Sequence, residues 1–412
     1  MKNTYNKLEI QKLFKGKEII TVSHKGPRDP SMLYISLDER CNENCVFCVI
    51  KGDNVGTFGS MSLKEAKKII SQFLNKGGKD LVFTGGEPTL REDLPILIKY
   101  AETFKSLKNI SVITNGVRLG DKKYLDQISK SDKKKLVSFS ISLHSHKEKV
   151  SELLTQSKGT YKCTIQGIRN AIKSNYEISI YQVITSENYK DLLTFCKFLN
   201  KFFPQINRIT LAYPFPQGNA LYNNWIFPRL SVLRSHLLKV LRYLRKKGYD
   251  INIASCGQFP LCLTPNFEKE VLKNVDFSEE NILGVVGKKT FHDFEMGSDE
   301  WQKRQKTKNK LCQKCILNKI CPGFWTKYVE LYDFNGIQLV TFKNFIGNKL
   351  QSKLNNAKDF KFIIQKLDKE KLNIIKILDY NKPNLQKLIT YLAKHKILTI
   401  ILEKNNQVIY PS

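Results

Sequence analysis

Three cysteines within eight residues are the part of this 412-residue chain best suited to chemistry. The segment reads CNENCVFC, in which Cys41, Cys45 and Cys48 are spaced by three and two residues and Phe47 precedes the last. Thiolates are soft ligands that suit zinc ions and iron–sulfur clusters. These spacings allow one short loop to turn three sulfurs toward a common centre, where they would hold three corners of a [4Fe–4S] cluster. One iron would then lack a protein ligand and would be open to a substrate or cofactor.

A structural zinc ion is the alternative occupant of this loop, because zinc also binds thiolates but takes four protein ligands. His144 and His146 are available as the fourth ligand. The loop alone therefore leaves zinc and iron–sulfur chemistry open, and its surroundings have to decide between them.

A second group of cysteines lies beyond the middle of the chain: Cys256, Cys262, Cys312, Cys315 and Cys321. Ten cysteines in a chain of this length do not make a disulfide-dense secreted scaffold. In a reducing cytosol, clustered cysteines are expected to be metal or redox ligands. Cys163 and Cys196 stand alone; Cys196 lies at helical spacing with Leu192 and is predicted to be a small core residue.

Six apolar segments rich in Val, Ile, Leu and Phe are predicted to be the strands that position these residues. Several are apolar nearly throughout, as parallel strands buried on both faces should be. The segments are SMLYISL (31–37), DLVFTGG (80–86), ISVITNG (110–116), LVSFSISL (136–143), ISIYQVIT (178–185) and RITLAYP (208–214).

Amphipathic helical stretches separate the strands, which gives six β/α units. The first, SLKEAKKIISQFLNKGG, opens with a capping box of Ser62 and Glu65 and closes on Gly77. The others are predicted near 93–106, 121–130, 162–174, 187–203 and 230–247. Such units build either a doubly wound sheet or a barrel, and periodicity does not choose between them. In both, sites lie after the carboxyl ends of strands, where CNENCVFC, GGEPT, TNG and SLHS are found.

The order of these motifs resembles that of radical S-adenosylmethionine (radical SAM) enzymes. Cys-x3-Cys-x-aromatic-Cys follows the first strand, and GGEPT, which matches the GGEP motif of that family, ends the second. TNG ends the third strand, SISLHS the fourth, and PFPQGNA follows the sixth. The resemblance covers roughly residues 31–220, and it implies a partial (β/α)6 TIM-type barrel.

The resemblance also implies two cofactors, a [4Fe–4S] cluster and S-adenosylmethionine, whose methionine group chelates the open iron. The family cleaves S-adenosylmethionine reductively to a 5′-deoxyadenosyl radical, which abstracts hydrogen from a substrate. A low-potential electron donor such as flavodoxin or ferredoxin is the implied partner.

The family's cofactor contacts fall on matching positions of this chain. Gly85 and Gly86 would let the backbone approach the cofactor, and Glu87 with its adjacent backbone would orient the methionine ammonium. Ser142 is the candidate ribose ligand, and Asn115 would shape the pocket floor. The cofactor-binding set predicted from the resemblance is Gly85, Gly86, Glu87, Pro88, Asn115, Ser140, Ser142 and His144, with Cys41, Cys45 and Cys48 as cluster ligands and catalytic centre.

The later cysteines resemble the SPASM and shorter twitch regions, which hold auxiliary clusters in radical enzymes that act on peptides. The match is partial, because Trp325 stands where a full SPASM region has its next cysteine. One auxiliary [4Fe–4S] cluster is expected, with Cys256 as the rival fourth ligand to Cys262 and zinc as the alternative metal. The predicted ligands are Cys262, Cys312, Cys315 and Cys321.

Four regions are predicted along the chain. Residues 1–30 form an N-terminal extension, 31–248 the barrel core, 249–335 the Cys-rich auxiliary region, and 336–412 a small α/β extension. In the last region NIIKILDY, KPNLQKLITYLAKHK and ILTIILEK repeat a β/α pattern, but no residue there indicates a role.

The formal net charge of +30, from 68 basic and 38 acidic residues, suggests a polyanionic partner such as RNA. The lysines are spread along the chain and greatly outnumber arginines, so compositional bias is favoured over specific nucleic-acid binding. No apolar run reaches 18 residues, and the N-terminus does not match a secretory signal. A cytoplasmic protein without a membrane partner is therefore expected.

The favoured hypothesis is a radical SAM maturase that modifies a peptide or small protein, because the auxiliary region is typical of such enzymes. A radical SAM enzyme acting on RNA or a small-molecule intermediate is the second hypothesis. A non-catalytic iron–sulfur or zinc protein with a binding role is the third.

Overall fold

The computed structural model describes most of the chain between residues 31 and 335 and three strands beyond it. The described residues are 31–51, 59–254, 257–265, 267, 270, 282–286, 289–290, 304–315, 318, 321–335, 339, 374–377, 399–404 and 407–409. The predicted N-terminal extension 1–30 and Cys256 lie outside them. No helix in these ranges is long and apolar enough to cross a membrane.

A nine-stranded sheet forms the framework of the compact unit Asp29–Thr341. Seven of its strands are parallel and follow one another in chain order. They are β1 (Met32–Ser36), β2 (Asp80–Thr84), β3 (Asn109–Thr114), β4 (Val137–Ser142), β5 (Glu177–Val183), β6 (Arg208–Ala212) and β7 (Asp250–Ile253).

The first seven helices of the described residues lie between successive strands of the sheet and bury their apolar faces, and an eighth helix follows residue 325. They are α1 (Leu63–Asn75), α2 (Leu94–Ala101), α3 (Lys122–Ser131), α4 (Glu148–Thr155), α5 (Thr160–Lys173), α6 (Leu192–Phe202), α7 (Leu230–Lys246) and α8 (Thr326–Tyr332). The predicted capping box at α1 is confirmed, since Ser62 Oγ accepts from Glu65 N and the Glu65 carboxylate accepts from Ser62 N. Gly77 follows its C-cap with a positive φ of 88°.

The strand order decides between the two architectures that the periodicity left open. A doubly wound sheet reverses its order next to the first strand. Here β1 to β7 run without reversal, as in the wall of a β/α barrel, and the sheet ends on β7 at one edge. The predicted partial barrel is therefore confirmed, and all carboxyl ends of the parallel strands meet at one rim.

Two additions to the six-strand prediction extend the sheet at both edges. Strand β7 pairs with β6, and a further strand, β8 (Ile282–Val286), pairs in parallel with β1. The antiparallel strand β9 (Lys289–Thr290) completes that edge. Residues 250–253, 282–286 and 289–290 thus contribute strands to the sheet, in a region whose sequence lacks regular periodicity.

The C-terminal unit contains a three-stranded sheet of its own. Ile374–Ile377 pairs in parallel with Thr399–Lys404, which pairs antiparallel with Gln407–Ile409. The parallel pair confirms the two predicted strands of this region. The helix predicted between them lies outside the described residues.

Candidate active site

The cysteine loop, residues 41–48, follows β1 at the carboxyl rim of the sheet. Burial raises the pKa of the Cys41 thiol to about 12 and raises that of Cys45 well above its usual value. The nearest titratable neighbours of Cys45 include Glu43, Cys48 and Cys41, so the three thiols share one small region. Buried thiolates need a compensating cation, which a metal cluster supplies on binding while the thiols lose their protons.

Two segments far away in sequence hold the backbone of this loop. From one side, Asn44 N and Val46 N donate to the last carbonyls of α4, at 2.9 Å each. From the other side, Asn219 N donates to Cys48 O and its side-chain amide donates to Cys45 O, both at 2.9 Å. The loop conformation is therefore fixed by hydrogen bonds that do not use the thiols.

Glu87 of GGEPT is the buried centre of a clamp between the second and third strands. Its Oε1 accepts from Thr89 N at 3.0 Å, Thr89 Oγ1 at 2.5 Å and Thr114 Oγ1 at 2.6 Å, and its Oε2 accepts from Asn115 N at 2.7 Å. An ionised carboxylate offers about two lone-pair sites on each oxygen, so these donors saturate Oε1 and leave one site on Oε2. Burial raises the pKa of Glu87 while these hydrogen bonds oppose the rise. The side chain thus positions GGEPT and TNG, and orientation of the methionine ammonium by Glu87 with its adjacent backbone stays a prediction.

The two glycines of GGEPT lie against the segment that leads into the cysteine loop. Gly86 N donates to Asp38 O at 2.6 Å, and Glu87 N donates to Arg40 O at 2.7 Å. A Cβ at Gly86 would overlap the Arg40 carbonyl. Gly85 has a φ of 132°, and a Cβ there would overlap Asp38 O. The glycines therefore allow two backbones to touch, and their predicted approach to the cofactor remains untested.

Asn115 connects TNG directly to the cysteine loop. Its Nδ2 donates to Asn42 Oδ1 at 2.7 Å, its Oδ1 accepts from Val117 N at 3.1 Å, and its carbonyl accepts from Thr164 Oγ1 at 2.9 Å. Together with Glu87, this residue joins the ends of the first three strands into one hydrogen-bonded unit.

Ser140 and Ser142 occupy the same face of β4. Buried and half-buried positions alternate along this strand, and Phe139 on the other face packs against Tyr176, at the end of α5. The two serines therefore point away from the helices, into the concave side of the sheet. Neither hydroxyl makes a hydrogen bond to another of the described residues, which leaves both available to a polar ligand.

His144 is buried just beyond β4, where its Nδ1 accepts from Val183 N at 3.2 Å. Burial lowers its pKa to about 3, so the imidazole is neutral and carries its proton on Nε2. The ring meets Phe47 edge-on with centroids 4.6 Å apart. The aromatic residue of the cysteine motif thus packs against a residue that follows the fourth strand.

Glu43, inside the cysteine loop, was not predicted as a site residue. Its side chain is buried, and the Cys45 thiol donates to its Oε2 at 3.6 Å. Burial raises its pKa to about 7, while hydrogen bonds from Cys45 and Thr160 act in the opposite direction. An acidic residue between two cluster cysteines could have been noticed in the sequence, but its burial depends on the packing of α5 against the loop.

Four of the later cysteines line one cavity together with Lys308 and Phe324: Cys262, Cys312, Cys315 and Cys321. Leu261 N and Gly323 N donate to the Cys321 sulfur at 3.4 and 3.5 Å. Burial raises the pKa of Cys312 and Cys321, and the Lys308 ammonium opposes the rise for both thiols. The rival ligand Cys256 lies outside the described residues.

Trp325 occupies the position at which a full SPASM region has a cysteine, and it is buried. It lies in a two-residue strand, Phe324–Trp325, paired with Lys306–Thr307. Phe324 faces the cysteine cavity, whereas Trp325 packs edge-on against Phe215 of PFPQGNA, 5.1 Å away, under the Lys306 ammonium at 4.4 Å. Packing against the barrel rim therefore replaces a metal ligand at this position.

Part of the chain matches the radical SAM superfamily. Residues 35–199 match the family model of the radical SAM superfamily, and the fold and the placement of the motifs agree with that match. The cofactors of this superfamily are a [4Fe–4S] cluster and S-adenosylmethionine. The donors fit the cluster, since the three half-buried cysteines of one loop, two of them with a thiol pKa raised by burial, lack a compensating charge of their own. Among the described residues, no three His, Cys, Asp or Glu side chains are close enough to bind a single metal ion.

GTP 3′,8-cyclase of Clostridium perfringens is one similar protein, 31% identical over 166 residues, which are 40% of this chain and 50% of that protein. The chain thus matches about half the length of this curated relative. Streptococcus suis SuiB bound to precursor peptide SuiA has a similar structure, with TM-score 0.51, 18% identity and coverage of 73% of each chain. Native anSMEcpe with bound AdoMet has TM-score 0.52 and 16% identity, over 80% of this chain and 100% of that one. At such identities the two structures establish the fold alone.

Proposed function

We propose that the protein is a radical SAM enzyme that modifies a peptide or small protein. It would cleave S-adenosylmethionine reductively and abstract hydrogen from this substrate. The observation that carries the proposal is the pairing of two thiol sites in one unit, with three cysteines at the barrel rim and four around a second cavity. The SuiB structure with its precursor peptide supports the substrate class by analogy. The cytoplasmic location stays a prediction.

In this proposal the chain's own residues position the cofactors and keep the site closed. Cys41, Cys45 and Cys48 would hold the cluster, and the bound cofactors would supply a 5′-deoxyadenosyl radical. The Glu87 carboxylate joins the GGEPT and TNG loops to each other by hydrogen bonds. Ser140 and Ser142 present hydroxyls on the concave face, where they would bind the ribose.

The neutral His144 ring would act as packing, because its Nδ1 is already bonded and burial keeps its pKa near 3. It offers no proton transfer near neutral pH. Its contact with Phe47 supports the orientation of the cysteine loop instead.

The second site would hold one auxiliary [4Fe–4S] cluster, with Cys262 as the fourth ligand. Cys262 lines the same cavity as Cys312, Cys315 and Cys321, and the two backbone donors to Cys321 would stabilise a thiolate there. Four protein ligands would leave no iron open, so this cluster would accept or pass an electron and would not bind substrate.

Replacing Cys41, Cys45 and Cys48 together by Ala should leave about four irons and four labile sulfides per anaerobically reconstituted chain, all in the auxiliary site. Adding Cys312→Ala and Cys315→Ala, which leaves two of the four ligands, should remove most of them, whereas adding Cys163→Ala, an exposed lone thiol, should not. Iron and sulfide assays with Mössbauer spectra give the result. Zinc without labile sulfide in the triple variant would contradict the auxiliary cluster.

A radical SAM enzyme that acts on a small molecule is the second candidate, because one relative at 31% identity is a GTP 3′,8-cyclase. The net charge of +30 would suit a nucleotide or RNA as well. A non-catalytic iron–sulfur or zinc protein is the third candidate, and it predicts no 5′-deoxyadenosine from the reduced protein.

Co-expression with short peptides encoded by neighbouring reading frames tests the function. We expect a mass change in one peptide, together with 5′-deoxyadenosine formed by the dithionite-reduced protein. If 5′-deoxyadenosine forms while every peptide stays unchanged and incubation with GTP yields a new product, the small-molecule candidate replaces the peptide one. If the reduced protein forms no 5′-deoxyadenosine, the enzyme proposal is wrong.

A further inference from the structure

Lysine side chains gather at the end of the sheet opposite the cysteine loop. Because β1 to β7 are parallel, every connection from a helix to the next strand lies at this amino-terminal end. Each of these connections carries exposed lysines, either in the last helical turn or in the loop that follows. We call these residues the basic face: Lys76, Lys79, Lys105, Lys108, Lys130, Lys133, Lys134, Lys135, Lys173, Lys201, Lys246 and Lys247.

Hydrogen bonds join the first three of these connections into one surface. Lys108 N donates to Lys79 O at 2.7 Å, so the connection after α2 lies against the one after α1. Lys133 N and Lys134 N donate to the Glu102 carboxylate at 3.0 and 2.9 Å, which joins the connection after α3 to the one after α2. The lysines of three connections therefore lie on adjoining segments of backbone.

The remaining connections continue the same surface. Lys135 Nζ lies 5.7 Å from the centre of the Tyr176 ring, which belongs to the connection after α5. Arg208, at the start of β6, pairs with Glu177 at the start of β5 at 3.3 Å, and with Asp250 at the start of β7 at 2.9 Å. Each connection thus contacts the next, and the basic face extends across the amino ends of β2 to β7.

The acidic residues of these connections are engaged within the fold. Glu102 and Asp132 are buried and accept hydrogen bonds from backbone N–H groups. Glu177 and Asp250 share one arginine, and Asp80 accepts from an asparagine amide at 2.7 Å. No lysine of the basic face forms an ion pair with another of the described residues. An anionic partner would relieve the repulsion among these ammonium groups.

The carboxyl rim of the same sheet has few lysines. Among the described residues, the connections at the rim hold Lys51, Lys147 and Lys190, and Lys147 is ion-paired with Asp191 at 2.6 Å. Compositional bias alone would distribute lysines over both ends of the barrel. Lysines that are spread along the sequence are therefore concentrated by the fold, because the end of each β/α unit returns to one face.

We propose that the basic face binds the phosphate backbone of RNA without reading its sequence. Lysine ammonium groups neutralise phosphates and release counterions, which is the sequence-independent part of nucleic-acid binding. Readout of bases relies on arginine forks and stacked aromatic rings. Here Arg208 is ion-paired, and Phe202 is the one exposed large apolar side chain that the described connections carry. A protein partner or a bilayer surface would call for a larger apolar contact.

RNA on the basic face would lie at the opposite end of the barrel from the cysteine loop. It would hold the protein on an RNA surface and leave the rim open to another molecule. The inference goes beyond the proposed function and does not depend on it, because no lysine of the basic face lies at the rim.

Fluorescence anisotropy of short labelled single-stranded RNAs of two unrelated sequences tests the proposal. The full chain is compared with the quadruple variant Lys76→Gln/Lys105→Gln/Lys108→Gln/Lys133→Gln, which removes four exposed ammonium groups from three adjoining connections. Titrations are repeated at increasing salt, and also with anionic phospholipid vesicles and with polyglutamate in place of RNA.

The matched control is Lys64→Gln/Lys122→Gln/Lys149→Gln/Lys158→Gln. It removes the same charge from exposed positions at the rim ends of α1, α3 and α4 and in the loop before α5. Thermal unfolding of both variants shows that each is folded.

We expect the quadruple variant to bind both RNAs about tenfold more weakly than wild type at low salt, and the control to bind as wild type does. The slope of log K against log salt should become smaller by about 0.7 for each lost phosphate contact. Equal weakening in the two variants, a wild type that does not bind RNA at low salt, or strong preference for one sequence would overturn the proposal. Binding of vesicles or polyglutamate that only the quadruple variant loses, with RNA binding unchanged, would assign the basic face to a membrane or an acidic protein instead.

Discussion

Cys45→Ala is expected to reduce 5′-deoxyadenosine formation to the level found without enzyme. Burial raises the pKa of the Cys45 thiol well above its usual value, and the nearby Glu43, Cys41 and Cys48 raise it further. Three thiolates leave no spare protein ligand, so loss of one leaves two irons without protein ligands and S-adenosylmethionine without its binding point. Liquid chromatography with mass spectrometry of the dithionite-reduced protein measures the product.

Cys196→Ala is the matched control, because Cys196 is also a buried thiol with a pKa raised to about 12, but it packs in the core of α6. It should keep full iron content in the loop and normal product formation. The Cys45→Ala protein should still bind iron and sulfide at the second cavity. Product formation by Cys45→Ala at the rate of Cys196→Ala would rule out the loop as the cluster site.

Much of the barrel could be predicted because its strands carry a local signal. The six predicted strands lie within two residues of those observed, and the overestimates are mainly at the carboxyl ends, where GG and NG continue an apolar run. Strand β7 was missed because DINI has only four residues, two of them polar, and its strand character comes from pairing with β6. Helix α4 was missed because it follows directly after SLHS, without a side-chain cap at Lys147.

The candidate site was predictable in its residue types but not in its bonding. Spacing and motif order placed the cysteine loop, GGEPT and TNG at one rim. The Glu87 carboxylate accepts hydrogen bonds from Thr89, Thr114 and Asn115. The last two residues lie about 27 residues further along the chain, so this bonding follows from the fold and not from a local pattern. The anchor from Asn219 to Cys45 spans 174 residues, and no local pattern encodes such a contact. Cys262 was predicted as the fourth ligand from the sequence; it lines the same cavity as the other three cysteines, and its role as a ligand stays a prediction.

Glu87→Gln is expected to lower the free energy of unfolding by about 1–3 kcal/mol and to weaken S-adenosylmethionine binding. An amide has one oxygen where the carboxylate has two. If its NH2 group faces Asn115, the Asn115 N–H loses its acceptor, and if it faces Thr89, the Thr89 N–H loses its own. One buried backbone donor is therefore left without a partner in either orientation. Thermal unfolding measures the first effect, and the KM for S-adenosylmethionine in 5′-deoxyadenosine formation measures the second.

Glu92→Gln is the control for this substitution, because Glu92 is 73% exposed and pairs with Arg118 at the surface. Its unfolding free energy should change by less than about 0.5 kcal/mol, with an unchanged KM. Glu87→Asp should not restore the wild type, since a carboxylate one methylene shorter cannot reach all four donors from the same backbone. A Glu87→Gln protein as stable as Glu92→Gln, but with a raised KM, would show that the carboxylate contacts the cofactor directly. We expect the loss of stability because the four internal hydrogen bonds of Glu87 link the ends of the second and third strands.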